Sequence, residues 1–385
     1  MPHEAGWRVR SALAWRILTH DKGRTALAVA GVLLAILLVF VQLGFFVAVP
    51  RGGMLLYDRT KFDLLVASTA YEYQVQPGQF PLDQLDRARA APEVALAAPL
   101  YFGSTKWRNG EDGKAPDVFV IGLDPRYPIF DSEDINRQLA ILDRADTVLV
   151  DSMTRPMFGP LTTGRVVDID GNKVKIGGDY VLGTGFMGLG VILVSAENFV
   201  RLFPYRQLSK VNLGLIRLKP GVDPDHAAAS LRKLLGSDIR VFTRPELEAR
   251  ETAYWTTRTS VGLLFGSGLI VSFIVGVMIV YQILATQISR QLPQFATLKA
   301  VGYGDAFLSG TVVVMALLIV LAGFFPALAA ALGMYAVIRE ETLLPVEMSG
   351  MRIAAVFAAT LGMAAASALL SISSLRRADT ADLFG

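Results

Sequence analysis

Four long apolar stretches constrain the fold of this chain more than any other feature of its sequence. They predict membrane-spanning helices at residues 26–49, 258–289, 306–338 and 353–375. A helix of about 20 apolar residues crosses the hydrocarbon core of a bilayer, and one ionised side chain at its centre costs about 3 kcal/mol. Arg258, at the edge of the second stretch, is their only charged residue, so core helices of a soluble domain do not explain them.

Basic residues predict the orientation of these spans, because Lys and Arg accumulate in cytoplasmic segments. They are concentrated before the first span, between the second and third spans, and after the fourth, in residues 1–25, 290–305 and 376–385. These segments, and with them both termini, are therefore expected on the cytoplasmic side. Residues 50–257 and the short 339–352 loop then lie outside, so more than half of the chain forms one external domain.

The external segment mixes predicted strands and helices. Its outer parts are typical of two β-α-β units, within residues 62–100 and 211–243. Between them, a mostly β lobe is inserted at about residues 101–188 and contains a predicted hairpin turn at residues 170–172. This order suggests a split ferredoxin-like domain with an insertion. The predicted fold class is a membrane α-helical protein with four transmembrane helices and a large external α+β domain inserted between helices 1 and 2.

A stalk helix is predicted to lead from the external domain into the second span. Thr243 and Glu246 form a capping-box pattern with a proline in the first turn, and Arg250 stands one helical turn after Glu246. No further proline or glycine occurs until Gly262, so the helix over residues 244–257 is expected to continue into the membrane and to transmit motion. The alternative is a short surface helix followed by a kink.

The absence of several residue types and sequence motifs excludes whole classes of function. The chain has no cysteine, no P-loop and no hydrolase motif, and its net charge of +3 is too small to indicate nucleic acid as a partner. The G-x-G-x-x-G match at residues 183–188 precedes a strand, which indicates a loop and no dinucleotide site. Three aspartates flank predicted turns, where Asp is common: Asp168, Asp170 and Asp179. A calcium site is the alternative interpretation. No catalytic, cofactor-binding or metal-ligating residue is predicted, and the spans lack the ionisable groups of an ion-coupled transporter.

Small residues recur along two of the spans at spacings that allow helices to approach closely. The candidate helix-packing positions are Gly262, Gly266, Ser272, Gly276, Ala358 and Gly362. They explain either packing within one chain or a dimer interface, and both interpretations stay open.

The loop between the second and third spans has an amphipathic sequence, ISRQLPQFATLKAVGYGDA, at residues 288–306. Gly302 and Gly304 are expected to end its helical part. A turn that lies on the membrane surface and a surface that docks into a partner protein both explain this pattern.

The same loop resembles a known family. FATLKAVGY is similar to the E-F-A-T-L-K-A-x-G-Y segment of FtsX-like ABC transporter permeases, with Gln294 where many relatives carry Glu. Three further segments resemble the DevC branch of this MacB-like, type VII family: LAWRILTHDKGRTALAVAGVLLAILLVFVQLGF, DTVLVDSMTRPMFGP and VILVSAENFVRLFP. The resemblance covers nearly the whole chain.

The resemblance implies a homodimer in the bacterial inner membrane, embedded in membrane lipid, that works with a separate ABC ATPase subunit. ATP and Mg²⁺ are expected on that subunit, while this chain binds no cofactor and catalyses no reaction. The loop at 290–305 is then the coupling element seated on the ATPase. Its implied contact residues are Pro293, Phe295, Leu298, Lys299, Gly302 and Tyr303.

The resemblance also implies an export pump driven by mechanotransmission. ATP binding moves the coupling loops, and the spans and stalk carry that motion outward. The external domain then drives a lipid-like or glycolipid cargo through a periplasmic adaptor and an outer-membrane channel. The alternative is an FtsX-like regulatory scaffold that transmits ATPase motion to a cell-wall hydrolase.

Overall fold

The computed structural model describes residues 7–108, 115–183, 185, 187–342 and 346–377. They fall into two compact units. The membrane unit contains the chain up to Ala48, Ser260–Thr342 and the residues from Val346 onward. The external unit contains Val49–Thr259.

The described part of the membrane unit is helical, whereas the external unit mixes helices and strands. The α-helices are α1 Trp7–His20, α2 Lys22–Asp58, α3 Leu82–Arg89, α4 Glu133–Gln138, α5 Ala196–Leu202, α6 Pro224–Leu235, α7 Arg244–Ala253, α8 Ser260–Ala300, α9 Asp305–Thr342 and α10 Gly350–Arg377. The strands are β1 Leu64–Ser68, β2 Phe80–Pro81, β3 Val94–Arg108, β4 Asp117–Leu123, β5 Thr147–Asp151, β6 Val166–Ile169, β7 Asn172–Tyr180, β8 Val191–Ser195, β9 Lys210–Val211, β10 Leu213–Leu218 and β11 Ile239–Thr243. Shorter helical segments are Leu139–Asp143, Pro156–Phe158 and a π-helix at Tyr254–Arg258.

Four helices are long and apolar enough to cross a membrane, which confirms the four predicted spans. They are α2, α8, α9 and α10. α2 and α8 continue well past the predicted ends of their spans, to Asp58 and Ala300, although α2 contains Pro50 and α8 contains Pro293.

The N-terminal arm contains α1, a helix that is not predicted from the sequence. α1 buries Ala14, Ile17 and Leu18 in the core of the membrane unit and packs on α9. Trp7 and Trp15 lie on its exposed side. The three- and four-residue spacing of its buried positions makes α1 amphipathic, with tryptophans suited to a membrane interface.

Polar contacts and apolar packing join the helices of the membrane unit. The Tyr335 hydroxyl of α9 donates to the Phe40 carbonyl of α2. The Ser367 hydroxyl of α10 donates to the Val277 carbonyl of α8 at 2.8 Å. Such bonds stabilise helix association where water is excluded, so the spans form one bundle.

The outer parts of the external unit form a ferredoxin-like half. β11, β1, β10 and β3 are neighbours in that order, and every pair is antiparallel. α3 and α6 cover one face of these strands, with Leu85 of α3 and Leu231 of α6 fully buried in the shared core. The β1-α3-β3 and β10-α6-β11 segments thus form two interleaved β-α-β units.

The inserted segment closes into a small barrel that shares β3 with the ferredoxin-like half. Residues 94–100 of β3 pair with β10, the following residues pair with β4, and the last two pair with β6. β4, β8, β5, β7 and β6 complete the circuit. Trp107 and Phe158 are fully buried there, with ring centroids 5.7 Å apart. One continuous strand therefore connects the barrel to the ferredoxin-like half.

The hairpin turn predicted at residues 170–172 joins β6 to β7. Asp170 and Gly171 have φ values of 50° and 86°. Two successive positive φ values are those of a type I′ turn, whose twist matches the twist of paired strands.

Candidate functional site

The segment that connects α8 to α9 has a different secondary structure from the predicted loop. Residues 290–300 continue α8, and only residues 301–304 are non-helical. The predicted 290–305 loop is therefore a helical extension followed by a four-residue turn. We call residues 301–304 the α8–α9 turn.

Gly302 ends α8 in a Schellman arrangement, at the position expected from the sequence. Its φ is +106°, a value that favours glycine. The Gly302 N–H donates to the Lys299 carbonyl and the Tyr303 N–H donates to the Leu298 carbonyl, both at 3.0 Å. These bonds satisfy carbonyls that a helix end otherwise leaves unpaired, so the backbone of the turn has a defined shape.

Side chains from both helices brace the α8–α9 turn. Lys299 Nζ lies 3.0 Å from Asp305 Oδ1, and the Tyr303 and Phe307 ring centroids are 4.6 Å apart. Leu298 and Tyr303 pack against the core of the membrane unit. These two predicted contact residues are thus only partly available to a partner.

The other predicted contact residues differ in what the structure describes of them. Pro293, Lys299 and Gly302 are exposed. The side chain of Phe295 lies outside the described residues. Val301, which is missing from the predicted contact set, is 71% exposed at the tip of the turn. The turn therefore presents an apolar side chain next to the Lys299 cation.

The stalk helix begins as predicted, but its charged residues have other partners than expected. The Thr243 N–H donates to the Glu246 carboxylate at 2.9 Å, as a capping box requires. Glu246 forms an ion pair with Arg232 of α6 at 2.5 Å, and Arg250 donates to the Tyr71 carbonyl at 2.6 Å. Contacts to other elements thus take the place of a Glu246–Arg250 pair along the helix.

The prediction of a stalk that runs unbroken into the second span is wrong. α7 gives way to the π-helix, and Thr259 is extended, with φ −102° and ψ 150°. Tyr254 stacks on Tyr73 at a centroid distance of 4.4 Å, and Trp255 meets the same ring edge-on at 5.5 Å. These aromatic contacts to a distant segment hold the irregular backbone, and the kinked alternative describes the structure.

A buried carboxylate that is not predicted from the sequence lies in the last turn of α7. Glu251 is fully buried. The Tyr71 hydroxyl donates to Glu251 Oε1 at 2.5 Å, and the Tyr57 hydroxyl lies 2.8 Å from that of Tyr71. One hydrogen-bonded chain therefore joins α7, the segment after β1 and the end of α2.

Burial raises the pKa of the Glu251 carboxyl from 4.5 to about 7. Hydrogen bonds from Tyr71, the Gln74 backbone and Trp255 stabilise the charged form, and Arg250 adds a smaller attraction, but desolvation outweighs them. The side chain of Gln74 is buried as well, and its amide has no hydrogen-bond partner among the described residues. Glu251 therefore changes its charge near neutral pH.

Several of the predicted helix-packing positions lie against helices of the same chain. A Cβ on Gly276 would come within 2.6 Å of Met363 Sδ on α10, and a Cβ on Gly266 would lie 3.4 Å from the Phe46 ring on α2. These glycines thus allow close approach inside the bundle.

The remaining packing positions have different surroundings. A Cβ on Gly362 would lie 3.7 Å from the Phe273 ring. Ser272 is buried, and its hydroxyl donates to the backbone carbonyl one turn earlier in α8. Gly262 is also buried, near the start of α8. Ala358 is exposed on α10, and this position is open to lipid or to another chain.

The glycine-rich segment at 183–188 is a loop tied to a buried carboxylate. The Gly183 N–H donates to Asp151 Oδ2 at 2.7 Å. Thr184 and Phe186 lie outside the described residues. Across the described part of the chain, no group of three or more His, Asp or Glu side chains could hold a metal ion.

Two family models match the chain. The model of the FtsX-like permease C-terminal region matches residues 266–380. The model of the MacB-like periplasmic core domain matches residues 25–234, which is more than half of the chain. No curated protein sequence matches.

Two solved structures are similar to the external part. The periplasmic region of MacB from Actinobacillus actinomycetemcomitans is 10% identical, with a TM-score of 0.36, covering 50% of this chain and 94% of that one. The extracellular domain of the noncanonic ABC-type transporter YknZ from Gram-positive bacteria is 14% identical, with a TM-score of 0.34, covering 47% and 99%. From the family models, the four spans and the inserted α+β domain, we conclude that the chain belongs to the FtsX-like permeases with a MacB-like periplasmic core domain, the family of ABC transporter permease subunits.

Proposed function

We propose that this chain is the permease subunit of an ABC export pump in the bacterial inner membrane, with both termini in the cytoplasm. Two copies form a homodimer with a separate ATPase, which binds ATP and Mg²⁺. Motion of the ATPase passes through the spans to the external domain, which drives a lipid-like or glycolipid cargo through a periplasmic adaptor and an outer-membrane channel. Family membership supports the ATPase partner, and the DevC-like segments support the cargo class.

The observation that carries this proposal is the length of α8 together with the braced turn at its end. α8 has 41 residues, equivalent to about 60 Å, twice the roughly 30 Å core of a bilayer. Its last residues, 290–300, extend past the apolar span to the α8–α9 turn. A partner that displaces the turn therefore acts on a single continuous helix.

The segment before α8 has another role in the proposal. The π-helix and the extended Thr259 interrupt the helix that was expected to carry the motion outward. Motion that follows α8 consequently reaches the external domain through a backbone that bends at Thr259. Glu251, whose carboxylate accepts a hydrogen bond from Tyr71, precedes this bend in the chain.

The proposal is tested first by identifying partners. The tagged chain is purified from its native membranes in mild detergent, and co-purifying proteins are identified by mass spectrometry. We expect an ABC ATPase together with a membrane-fusion-type adaptor. An ATPase with a cell-wall hydrolase instead of the adaptor would favour the regulatory scaffold, and recovery of no ATPase would contradict the coupling role of the α8–α9 turn.

A variant pair locates the ATPase contact. Val301→Asp places a charge at the exposed tip of the turn, and we expect about tenfold less ATPase in the purified complex. Val166→Asp makes the same change at an apolar side chain that is 58% exposed on the external unit, and it should leave ATPase recovery unchanged. Equal recovery with both variants would contradict the assignment.

A further inference from the structure

A cleft of about 600 Å³ opens in the external unit where the ferredoxin-like half meets the barrel. Both regions contribute to its walls, because β3 passes from one to the other after Leu100, its last residue paired with β10. We call it the β3 cleft. Its lining comes from the loop at residues 75–79, residues 102–104 of β3, Phe119 of β4, Met187, Arg206 and Asn212.

Buried apolar side chains form the inner part of the β3 cleft. The rings of Phe102 and Phe119 meet edge-on, with centroids 5.3 Å apart, and both residues are buried. Met187, from the glycine-rich segment at 183–188, is buried in the same lining. Gln76 and Ser104 are exposed and form a polar rim. An apolar interior with a few polar groups suits a small ligand that has an apolar body.

Arg206 brings a positive charge to the lining of the β3 cleft. Its Nη2 donates to the Phe102 carbonyl at 3.0 Å and to Asn212 Oδ1 at 2.8 Å. The Gln79 amide, with its oxygen turned toward the guanidinium, accepts from Nε, Nη1 and Nη2 at 3.1, 3.0 and 2.7 Å. All of these acceptors are neutral, and no Asp or Glu that the structure describes pairs with Arg206. The charge is therefore left for a ligand to balance.

The guanidinium also keeps a donor for such a ligand. Arg206 is half-buried, and desolvation lowers the pKa of its guanidinium. Two of the five N–H donors of an arginine belong to Nη1. Over the described part of the chain, Nη1 meets one acceptor, the Gln79 oxygen. At least one N–H of Arg206 consequently remains available to an oxyanion.

The walls of the β3 cleft are held in place before any ligand binds. Asn212 is buried, its Oδ1 accepts from the Phe102 N–H at 2.8 Å, and its Nδ2 donates to the Gly78 carbonyl at 2.7 Å. The loop is closed on itself by the Gln76 N–H, which donates to the Tyr73 carbonyl at 2.9 Å. These bonds tie the loop at residues 75–79 to β3, so that a ligand has little left to order.

We propose that the β3 cleft binds an anionic amphiphile, a small molecule with one carboxylate or phosphate group on an apolar body. The acidic group meets Arg206, and the apolar body lies on Phe102, Phe119 and Met187. A hydrogen bond from arginine to an oxyanion is shorter and stronger than one between neutral groups. The proposal goes beyond the pump function, rests on the external unit alone and depends on neither ATPase nor cargo.

The alternative is that Arg206 only clamps the loop to β3. Its three acceptors are neutral oxygens, which an amide would satisfy without desolvating a charge. A ligand of opposite charge explains why a cation stands at this position.

The test uses two fluorescent probes that differ in charge: dansylglycine, which carries a carboxylate, and its neutral amide, dansylglycinamide. Each probe is titrated with the full-length chain in lipid nanodiscs, and the signal from empty nanodiscs is subtracted. Binding is measured by the fluorescence anisotropy of the dansyl group. We expect dansylglycine to bind about tenfold more tightly than the amide, the ratio that one hydrogen bond to a charged group supplies.

Variants of Arg206 separate the charge from the clamp. Arg206→Gln should weaken dansylglycine binding about tenfold. Arg206→Lys should retain most of the binding, because it keeps the charge and loses the planar fork. Arg217 is also half-buried in the external unit but does not line the cleft, so Arg217→Gln should leave both affinities unchanged. Equal losses in Arg206→Gln and Arg206→Lys would overturn the proposal in favour of the clamp.

A second variant pair fills the cleft without touching the clamp. Ser104→Trp adds bulk at the exposed rim and should reduce the binding of both probes, whereas Ser104→Ala should leave it unchanged. Undiminished dansylglycine binding by Ser104→Trp would overturn the proposal. Equal affinity of the unmodified chain for the two probes, or no dansylglycine signal beyond that of empty nanodiscs, would overturn it as well.

Discussion

The two ends of α8 are built in different ways. At one end, Gly302 closes the helix with backbone hydrogen bonds, and side chains from α8 and α9 brace the turn. Ahead of the other end, residues 254–258 form a π-helix, Thr259 is extended and Glu251 is buried. The first end follows an ordinary helix-stop pattern, whereas the second depends on contacts between distant segments.

This difference separates a stiff end from an adjustable one. The N–H groups of Val301, Gly302 and Tyr303 all donate to carbonyls of α8, so a change in the shape of the turn breaks hydrogen bonds. π-Helical segments are rare and occur frequently at functional sites. Glu251 adds a charge that changes near neutral pH, so the energy of that region depends on its protonation. We therefore expect the segment before α8 to change shape more readily than the α8–α9 turn.

The largest expected effect tests the adjustable end. The folded-state pKa of Glu251 lies above its unfolded value, so folding favours the protonated form. Its contribution to stability is complete below pH 4.5 and is lost as the pH rises to about 7, by up to about 3 kcal/mol. Glu251→Gln removes this loss. The unfolding temperature of the variant minus that of wild type should therefore increase from pH 5 to pH 8.

A neighbour on the same helix provides the control. Glu248 is exposed on α7, so Glu248→Gln should follow the wild-type unfolding temperature at each pH. If Glu251→Gln and wild type showed parallel pH profiles, the carboxyl would not titrate in the folded range, and the contrast between the two ends would lose its electrostatic part.

The next effect tests the stiff end. Gly302→Ala forces an L-residue to a φ of +106° and should cost about 1–2 kcal/mol in the free energy of unfolding. A Cβ added to Gly304 would meet no atom of the described residues within 4 Å beyond its chain neighbours, so Gly304→Ala should change stability much less. Similar chemical-denaturation midpoints for the two variants would show that the turn is less constrained than its hydrogen bonds indicate.

The smallest effect concerns the ion pair across the turn. The Lys299 and Asp305 side chains are 52% and 62% exposed, so Lys299→Gln should destabilise the chain by less than about 1 kcal/mol, and less still at high salt. Thermal unfolding at two salt concentrations measures this. A larger, salt-independent loss would mean that Lys299 contributes through packing.

Much of the fold follows from local sequence patterns. The strands at 117–123, 147–151, 191–195 and 239–243 are short apolar runs between turn residues, which is the local pattern that indicates a strand. Gly302 ends α8 as expected, since few other residues tolerate its backbone conformation. The apolar spacing of Ala14, Ile17 and Leu18 in α1 is a local signal too, although basic residues are interspersed with it.

The rest depends on contacts that no local pattern encodes. Glu251 is buried because it meets Tyr71, 180 residues away in the sequence. The break at Thr259 follows the packing of Tyr254 and Trp255 on Tyr73, whereas local propensity favours a continuous helix. The closing pairs between β3 and β6 likewise join residues about 60 positions apart. Long-range packing overrides propensity at each of these places.

The position of β1 in the sheet has a consequence for how the protein is made. Leu64 pairs with Ile216 on one side and with Thr243 on the other, and all five residues of β1 are buried. Synthesis must therefore reach residue 243 before β1 can acquire both neighbours. Until then at least one edge of this apolar strand is open, a state prone to aggregation. Closure of this sheet is expected to be the slow step in biogenesis, and the step at which a holding chaperone protects the nascent chain.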